Sequence, residues 1–314
     1  VDARGKIVIT GGAGLVGQNL VVRLKQRGFT RLVAIDKHPA NTAMLSRLHP
    51  DITVIEADLA APGQWEDALA SAAAVVVNHA QIGGLERGEF ERNNVVATQR
   101  LLDVLRADAQ PGFVVHISSS VVNSRASDFY TETKKAQEAL VLASGLRCTV
   151  LRPTLMFGWF DRKHLGWLAR FMRKTAVFPL PGRGDYMRQP LYAGDFCDVI
   201  AACLSGRFAG RTFDISGHEH ITYGDIIREI KALSGARTAI VPIPYKLFWW
   251  LLRAYAVVDR DPPFTTRQLE ALVIPESFPV IDWPGIFGCS ATPFRVALRT
   301  TLQDPTYSNV VLAW

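Results

Sequence analysis

Tyr130 and Lys134 stand four residues apart, shortly after the run Ser118-Ser119-Ser120. On a helix, positions i and i+4 share one face, so a phenol and an ammonium placed there reach the same substrate atom. The cation is expected to lower the phenol's pKa and make Tyr130 a proton donor and acceptor near neutral pH. A tyrosine with an ordinary pKa of about 10 does that badly. A serine hydroxyl beside the pair would hold a substrate hydroxyl or carbonyl oxygen. Register from the end of the preceding strand selects Ser119, while Ser118 and Ser120 remain candidates for capping the chain reversal.

Upstream, Lys6-Ile-Val-Ile-Thr10 reads as a short buried strand running into Gly11-Gly-Ala-Gly14-Leu15-Val16-Gly17 and then a helical stretch from Gln18 to Arg27. Glycines at 11, 14 and 17 between a strand and a helix give a tight turn, a close approach of backbone to phosphate and a helix N-terminus facing a pyrophosphate. Asp36 ends the next strand, Arg31 to Ile35, about 20 residues downstream. Its carboxylate would accept hydrogen bonds from both ribose hydroxyls and repel a 2′-phosphate, which favours NAD over NADP; Lys37 beside it pulls the other way.

The 314 residues, 48% hydrophobic and 20% charged, suffice for a sizeable core in one large or two moderate domains. A net charge of +6, spread without runs, argues against nucleic acid as a partner. Cys148, Cys197, Cys203 and Cys289 show no metal-ligand pairing, and His79, His116 and His164 lack carboxylate or cysteine partners at ligand spacing, so no metal is expected. Cysteine usage and a first apolar stretch of only Ile7-Val-Ile9 lead to the expectation of a reduced, cytoplasmic protein without a signal peptide.

Further strands are expected at 52–55, 73–77, 112–117 and 147–151, leading to Asp58-Leu59, Asn78-His79-Ala80, the serines and Arg152-Pro153, with helices between them. This alternation specifies an α/β fold, a Rossmann-type doubly wound parallel sheet whose ligands lie beyond the carboxyl ends of its strands. After about residue 160 the rhythm loosens: Pro179, Pro181, Gly182 and Gly184 cluster in a loop, and helices follow near 194–205 and 223–234. The expected division is a dinucleotide-binding domain over 1–160, joined by later strands from about 185–215, and a smaller C-terminal substrate-binding lobe over 161–314.

On these residues the chain resembles the extended short-chain dehydrogenase/reductase family, in its NAD-dependent epimerase/dehydratase group. The resemblance runs from residue 6 to about 235. It rests on Thr10-Gly-Gly-Ala-Gly-Leu-Val-Gly17, Asp58-Leu59, Asn94-Val-Val-Ala-Thr98, the Ser119/Tyr130/Lys134 set, Arg152-Pro-Thr-Leu-Met-Phe-Gly158 and Gln189-Pro-Leu-Tyr-Ala-Gly-Asp195. It implies an NAD-dependent enzyme in which Asp58 binds adenine, Asn94 supports the active-site architecture, Pro153 borders the nicotinamide, and Leu59, His79 and Ala80 line the cofactor. Lys134 would tune Tyr130 and hold the nicotinamide ribose.

The leading substrate expectation is a nucleotide-sugar, oxidised at its C4 hydroxyl by an oxidoreductase or epimerase. A hydroxysteroid or lipid dehydrogenase and a non-catalytic nucleotide-binding accessory protein stay open. Arg188, helped by Arg183, would clamp a diphosphate, or else pair with Asp185 or Asp195; Asp195 itself reads as a helix cap. Against a sugar substrate, Leu155 stands where many such relatives carry a substrate-binding Asn, and the stretch between Ser119 and Tyr130 is short. Ser120-Val121 replaces the acid-base pair of dehydratases, which ranks dehydration low.

The strongest apolar stretch, Tyr245 to Val258, is interrupted by Lys246 and Arg253 and too short to span a bilayer. A core or lid helix is preferred there, with a dimer or membrane-surface contact left open. Together with Pro263-Phe-Thr-Thr-Arg-Gln-Leu269 it resembles respiratory complex I accessory-subunit-like relatives and, more faintly, hydroxysteroid dehydrogenases. Helices from Val95 to Ala107 and Thr133 to Ala143 are the expected homodimer contact.

Overall fold

Short runs of β-branched and apolar residues build the central sheet of the computed structural model, which describes residues 3–125, 127–258, 266, 269–270 and 278–313. Six strands come from the first half of the chain: β1 (Ile7–Thr10), β2 (Leu32–Asp36), β3 (Thr53–Glu56), β4 (Ala74–Val77), β5 (Phe113–Ile117) and β6 (Cys148–Pro153). Short strands β7 (Met156–Phe157), β8 (Val177–Pro181), β9 (Met187–Arg188) and β10 (Leu191–Tyr192) follow, then β11 (Thr212–Ile215), β12 (Ile221–Thr222) and β13 (Ala239–Ile243). β11 returns to pair with β6, and the seven-stranded sheet has the order β11-β6-β5-β4-β1-β2-β3. Every pairing in it is parallel. Strand order reverses direction at β1, so the crevice between the ends of β1 and β4 is where such a sheet receives a ligand.

Helices α1 (Leu15–Gln26), α2 (Pro39–Leu48), α3 (Trp65–Leu69), α4 (Arg87–Phe90), α5 (Ala97–Ala107) and α6 (Phe129–Ala143) cross between the first strands. A π-helical stretch, Glu91–Val96, joins α4 to α5; no local pattern predicts it. Beyond β6 come α7 (Leu165–Lys174), α8 (Ala193–Cys203), α9 (Tyr223–Ser234), α10 (Tyr245–Val258), α11 (Trp283–Phe287) and α12 (Phe294–Gln303).

Alternation along the strands divides the core. Ile7, Ile9 and Val76 join one cluster with α1, α8 and Trp283, while Val8, Val75 and Val77 join another with Leu101 and Leu105 of α5 and Val141 of α6. Side chains of this size contribute roughly 1.5–3 kcal/mol each when fully buried. A further core, built on Met172, Phe178, Ile226, Ile230 and Phe294, belongs to the later elements. There β8 and β13 form a separate parallel ribbon.

Gly17 is fixed by packing. A Cβ there would lie 2.5 Å from Gly11 O and 2.6 Å from Gly12 Cα, whereas at Gly14 the nearest atom is Gly11 O at 3.4 Å. Gly14 has φ −79° and needs no left-handed backbone. Gly17→Ala is therefore expected to lower the unfolding free energy by about 1–3 kcal/mol, and Gly14→Ala by less than about 1 kcal/mol. Urea unfolding of both variants checks this, and equal losses would refute the packing explanation.

Candidate active site

β5 ends at Ile117, and the chain leaves the sheet through Ser118, Ser119 and a 3-10 turn, Ser120–Asn123. Ser118 is buried and its Oγ donates to Glu138 Oε2 at 2.5 Å. Arg152 donates to the same carboxylate from Nε at 3.0 Å and Nη2 at 2.5 Å. This forked ion pair fastens α6 to β6. Burial pushes the Glu138 carboxyl up, but Arg152 and Ser118 hold it below the usual carboxylate range. Ser119 itself caps the 3-10 turn, its Oγ accepting from Val121 N at 3.4 Å, and of the three serines its hydroxyl is the one that acts on the Tyr130 phenol. Ser118 is thereby committed to Glu138, and Ser119 is the serine the structure brings to Tyr130.

Tyr130 lies on the first turn of α6 because Asp128 caps that helix, its Oδ1 accepting from Thr131 N at 2.9 Å. One turn on, Lys134 is 1% exposed. Its Nζ donates to Ile117 O at 2.9 Å and to Gln137 Oε1 at 2.5 Å. Gln137 Nε2 donates to Thr98 Oγ1 at 2.8 Å, Thr98 Oγ1 meets His79 Nε2 at 2.9 Å, and His79 Nδ1 meets Thr10 Oγ1 at 2.8 Å. A hydrogen-bonded chain thus runs from the ammonium to the residue before the glycine turn. Asn94 braces it: fully buried, it accepts from Gln81 N at 2.6 Å and donates to Thr133 Oγ1 at 2.9 Å.

Burial pulls the Lys134 pKa down to about 7, against the opposing pull of Glu138. Burial, with the charge of Lys134, pulls His79 down to about 3, so its ring is neutral at pH 7. One expectation needs correcting. Burial raises the Tyr130 pKa, although the Ser119 hydrogen bond works the other way. The physical reason is desolvation of the buried phenol, which the Lys134 ammonium, engaged by Ile117 O and Gln137 Oε1, does not offset. Sequence reasoning assigned no role to Thr10, Thr98, Gln137 or Glu138. The available signals were the i+3 spacing of Gln137 from Lys134 and the place of Thr98 at the end of a quoted motif.

The glycine turn forms a cradle. Gly11 has φ +62°, and a Cβ on it would lie 2.8 Å from His79 Cα. Gly14 stands at the N-cap of α1 with no side-chain cap, so the helix opens through the amides of Leu15, Val16 and Gly17, which lack partners within the helix. Across the turn the half-buried Asp36 accepts from Ala13 N at 3.0 Å and from His38 N at 3.1 Å, and burial raises its pKa. Lys37 is exposed. Asp58 accepts from Ala60 N at 2.9 Å and Arg92 Nη2 at 2.8 Å, which outweigh burial and hold it below its usual range. Leu59 and Pro153 are buried and Ala80 half-buried, each just past a strand or at its end. An uncapped helix start, a turn open to close approach and a neighbouring carboxylate fit a dinucleotide.

The remaining candidates are placed differently. Arg188 is buried, with Nη1 donating to Met187 O at 3.2 Å and its guanidinium 5.5 Å from the Tyr186 ring centre. Of its expected alternative partners, Asp185 pairs with Arg183 at 3.1 Å and Asp195 accepts from Thr292 N at 2.8 Å. Asp195 is not the cap of α8: Tyr192 holds that position, and the Asp195 carboxylate ties the first turn of the helix to the segment before α12. Leu155 is 51% exposed, as are Ile82 (65%) and Leu85 (92%) in the loop after β4. A separate cavity of about 170 Å³, bordered by Tyr192, Asp195, His218 and Trp283, shares no residue with the Ser119/Tyr130/Lys134 set. Among the described residues no cluster of His, Cys, Asp or Glu is placed to hold a metal ion, and no helix is long and apolar enough to cross a membrane. Most of 263–269, which carried part of the accessory-subunit resemblance, lies outside the described residues, and that resemblance is not shown.

The 3 beta-hydroxysteroid dehydrogenase/Delta 5-->4-isomerase of Mycobacterium tuberculosis is 26% identical over 302 residues, covering 86% of this chain and 80% of its own. The ceramide reductase of Caulobacter vibrioides is 25% identical over 267 residues, covering 82% and 78%. The Bordetella bronchiseptica enzyme WbmF, solved in complex with NAD+ and UDP, shares the fold with a TM-score of 0.75 at 17% identity over 96% of this chain and 92% of that one. The NAD dependent epimerase/dehydratase family matches residues 7–216. With that match spanning well over half its length and the cradle, strand order and Ser119–Tyr130 contact all in place, the chain belongs to the NAD dependent epimerase/dehydratase family.

Proposed function

We propose that the protein is an NAD-dependent dehydrogenase or reductase that interconverts a secondary alcohol and a ketone on a largely apolar substrate. The Ser119 hydroxyl brought to the Tyr130 phenol at the end of β5, with Lys134 one helical turn away, carries this reading. Asp36, the Leu15–Gly17 amides and Asp58 would hold the dinucleotide, and Lys134 its nicotinamide ribose. When bound, the nicotinamide supplies or takes up the hydride at the carbon bearing the oxygen. Ser119 holds that oxygen by a hydrogen bond. Tyr130, kept protonated through the neutral range by burial, gives its proton to the oxygen in reduction and recovers it in oxidation.

Three exposed apolar side chains, Ile82, Leu85 and Leu155, follow the ends of β4 and β6, on either side of the strand that delivers Ser119. They support an apolar substrate body, as do the names of the steroid and ceramide relatives. One observation favours the nucleotide-sugar reading instead: the Arg188 guanidinium is held beside the stacked rings of Tyr186 and Tyr223, a setting suited to a diphosphate and a base. Exposed Val96 and Leu142, at the edges of the two helices named for self-association, support a homodimer contact there.

Tyr130→Phe is expected to retain NAD, measured by calorimetry, and to lose turnover by roughly 10²–10⁴-fold; unaltered turnover would remove Tyr130 from the mechanism, whereas NAD binding without turnover in the wild type would favour an accessory nucleotide-binding role. Thermal shifts of the NADH-loaded protein are expected with sterol and long-chain ketones and not with UDP-, GDP- or dTDP-sugars, and the reverse pattern would establish the epimerase reading. Lys134 also makes stability depend on pH. Its folded pKa of about 7 lies below the ordinary 10.5, so the unfolded chain binds the extra proton between those values and stability rises as pH increases through that window. Between pH 7 and 9.5, urea unfolding of the cofactor-free protein should show a gain of roughly 2–3 kcal/mol over the same interval in Lys134→Met; parallel curves would contradict the assignment.

A further inference from the structure

α10 presents its apolar side to water. Positions 247, 250, 251 and 254 lie at i, i+3, i+4 and i+7, one face of a helix. They carry Leu247 (52% exposed), Trp250 (64%), Leu251 (51%) and an exposed Ala254. The other side seats the helix: Phe248 is buried, and Trp249 and Leu252 are half-buried. A helix on a soluble protein ordinarily turns its polar side outward. The adjoining ribbon repeats the pattern. Register places Val177 beside Ala239 and Pro179 beside Val241, and Val177 and Val241 are exposed while Phe178 and Leu180 between them face the core.

Charge identifies what covers this face. Exposed Lys246 and Arg253 flank the stripe, and α10 contains no Asp or Glu. Arg173 and Lys174, both exposed, end α7 just before β8. Glu270 meets the helix at the half-buried Trp249, whose Nε1 donates to it at 3.1 Å. Tryptophan and leucine on one face with lysine and arginine at its margins match the boundary between hydrocarbon and headgroups. The 14 residues of α10 reach about 21 Å, short of the ~30 Å hydrocarbon core, so such a helix lies in the surface plane.

We propose that the outer face of α10, with the edge of the β8–β13 ribbon, docks the protein on a bilayer carrying anionic headgroups. The inference is independent of the chemistry assigned to Tyr130. The test is cosedimentation of the full chain with phosphatidylcholine vesicles containing about one quarter phosphatidylserine, against vesicles of phosphatidylcholine alone. The wild-type protein should sediment with the anionic vesicles. Leu247→Glu/Trp250→Glu should weaken binding roughly tenfold or more, and Lys246→Glu/Arg253→Glu should abolish the preference for phosphatidylserine. These side chains are exposed, so unchanged urea unfolding verifies that the variants are folded. Absence of wild-type binding, or binding unaffected by Leu247→Glu/Trp250→Glu, overturns the proposal. So does a wild-type dimer in the ultracentrifuge that this variant converts to monomer, because the stripe would then be a contact between two copies.

Discussion

A protonated amine costs several kcal/mol to bury unless polar atoms surround it, and the carboxyl edge of this sheet is organised around one such amine. Lys134 is surrounded by the carbonyl of the last residue of β5 and by an amide side chain on its own helix. Gln137 can turn its oxygen to the amine because its nitrogen is taken by Thr98, whose hydroxyl in turn meets His79, and His79 meets Thr10. Two strand ends and two helices are tied together by one requirement. Breaking any link leaves a buried polar atom without its partner, which is why such a network behaves as a unit. The neutral state of His79 fits the same logic, since a second positive charge beside Lys134 would oppose it.

The fold was legible where local pattern and tertiary environment agree. Strands of four to six residues such as Ile7–Thr10 and Cys148–Pro153 are β-branched, bounded by turns and almost wholly buried, and they were found within one or two residues. β7, β9, β10 and β12 have two residues each, too few to show a period. Their existence depends on partners elsewhere in the chain, so the later half could be read only as helices separated by proline-rich loops.

At the site, spacing on one helix was readable and direction was not. The sequence places Tyr130 and Lys134 on one face of α6; it does not say how deeply the phenol is buried or that the ammonium is engaged by Ile117, so the sign of the phenol's shift came out wrong. Asp195 and Arg188 teach the same lesson. Their charges were visible, but Thr292 and Tyr186, which receive them, come from separate parts of the chain or are buried beside them only after folding. Interactions spanning many residues, such as Ser118 with Glu138 or Asn94 with Thr133, have no local signature.

The wide-turned stretch Glu91–Val96 carries a consequence for how this chain can drift. Each helical residue turns the next by about 100°, and the extra residue held in a π-turn sets the angle at which Asn94 enters the interior. Exposed Glu91 has latitude in identity. The number of residues has none: a one-codon deletion would let ordinary helical winding resume and swing the Asn94 amide away from both Gln81 and Thr133, loosening the hinge between the β4 loop and α6 with every named side chain still present.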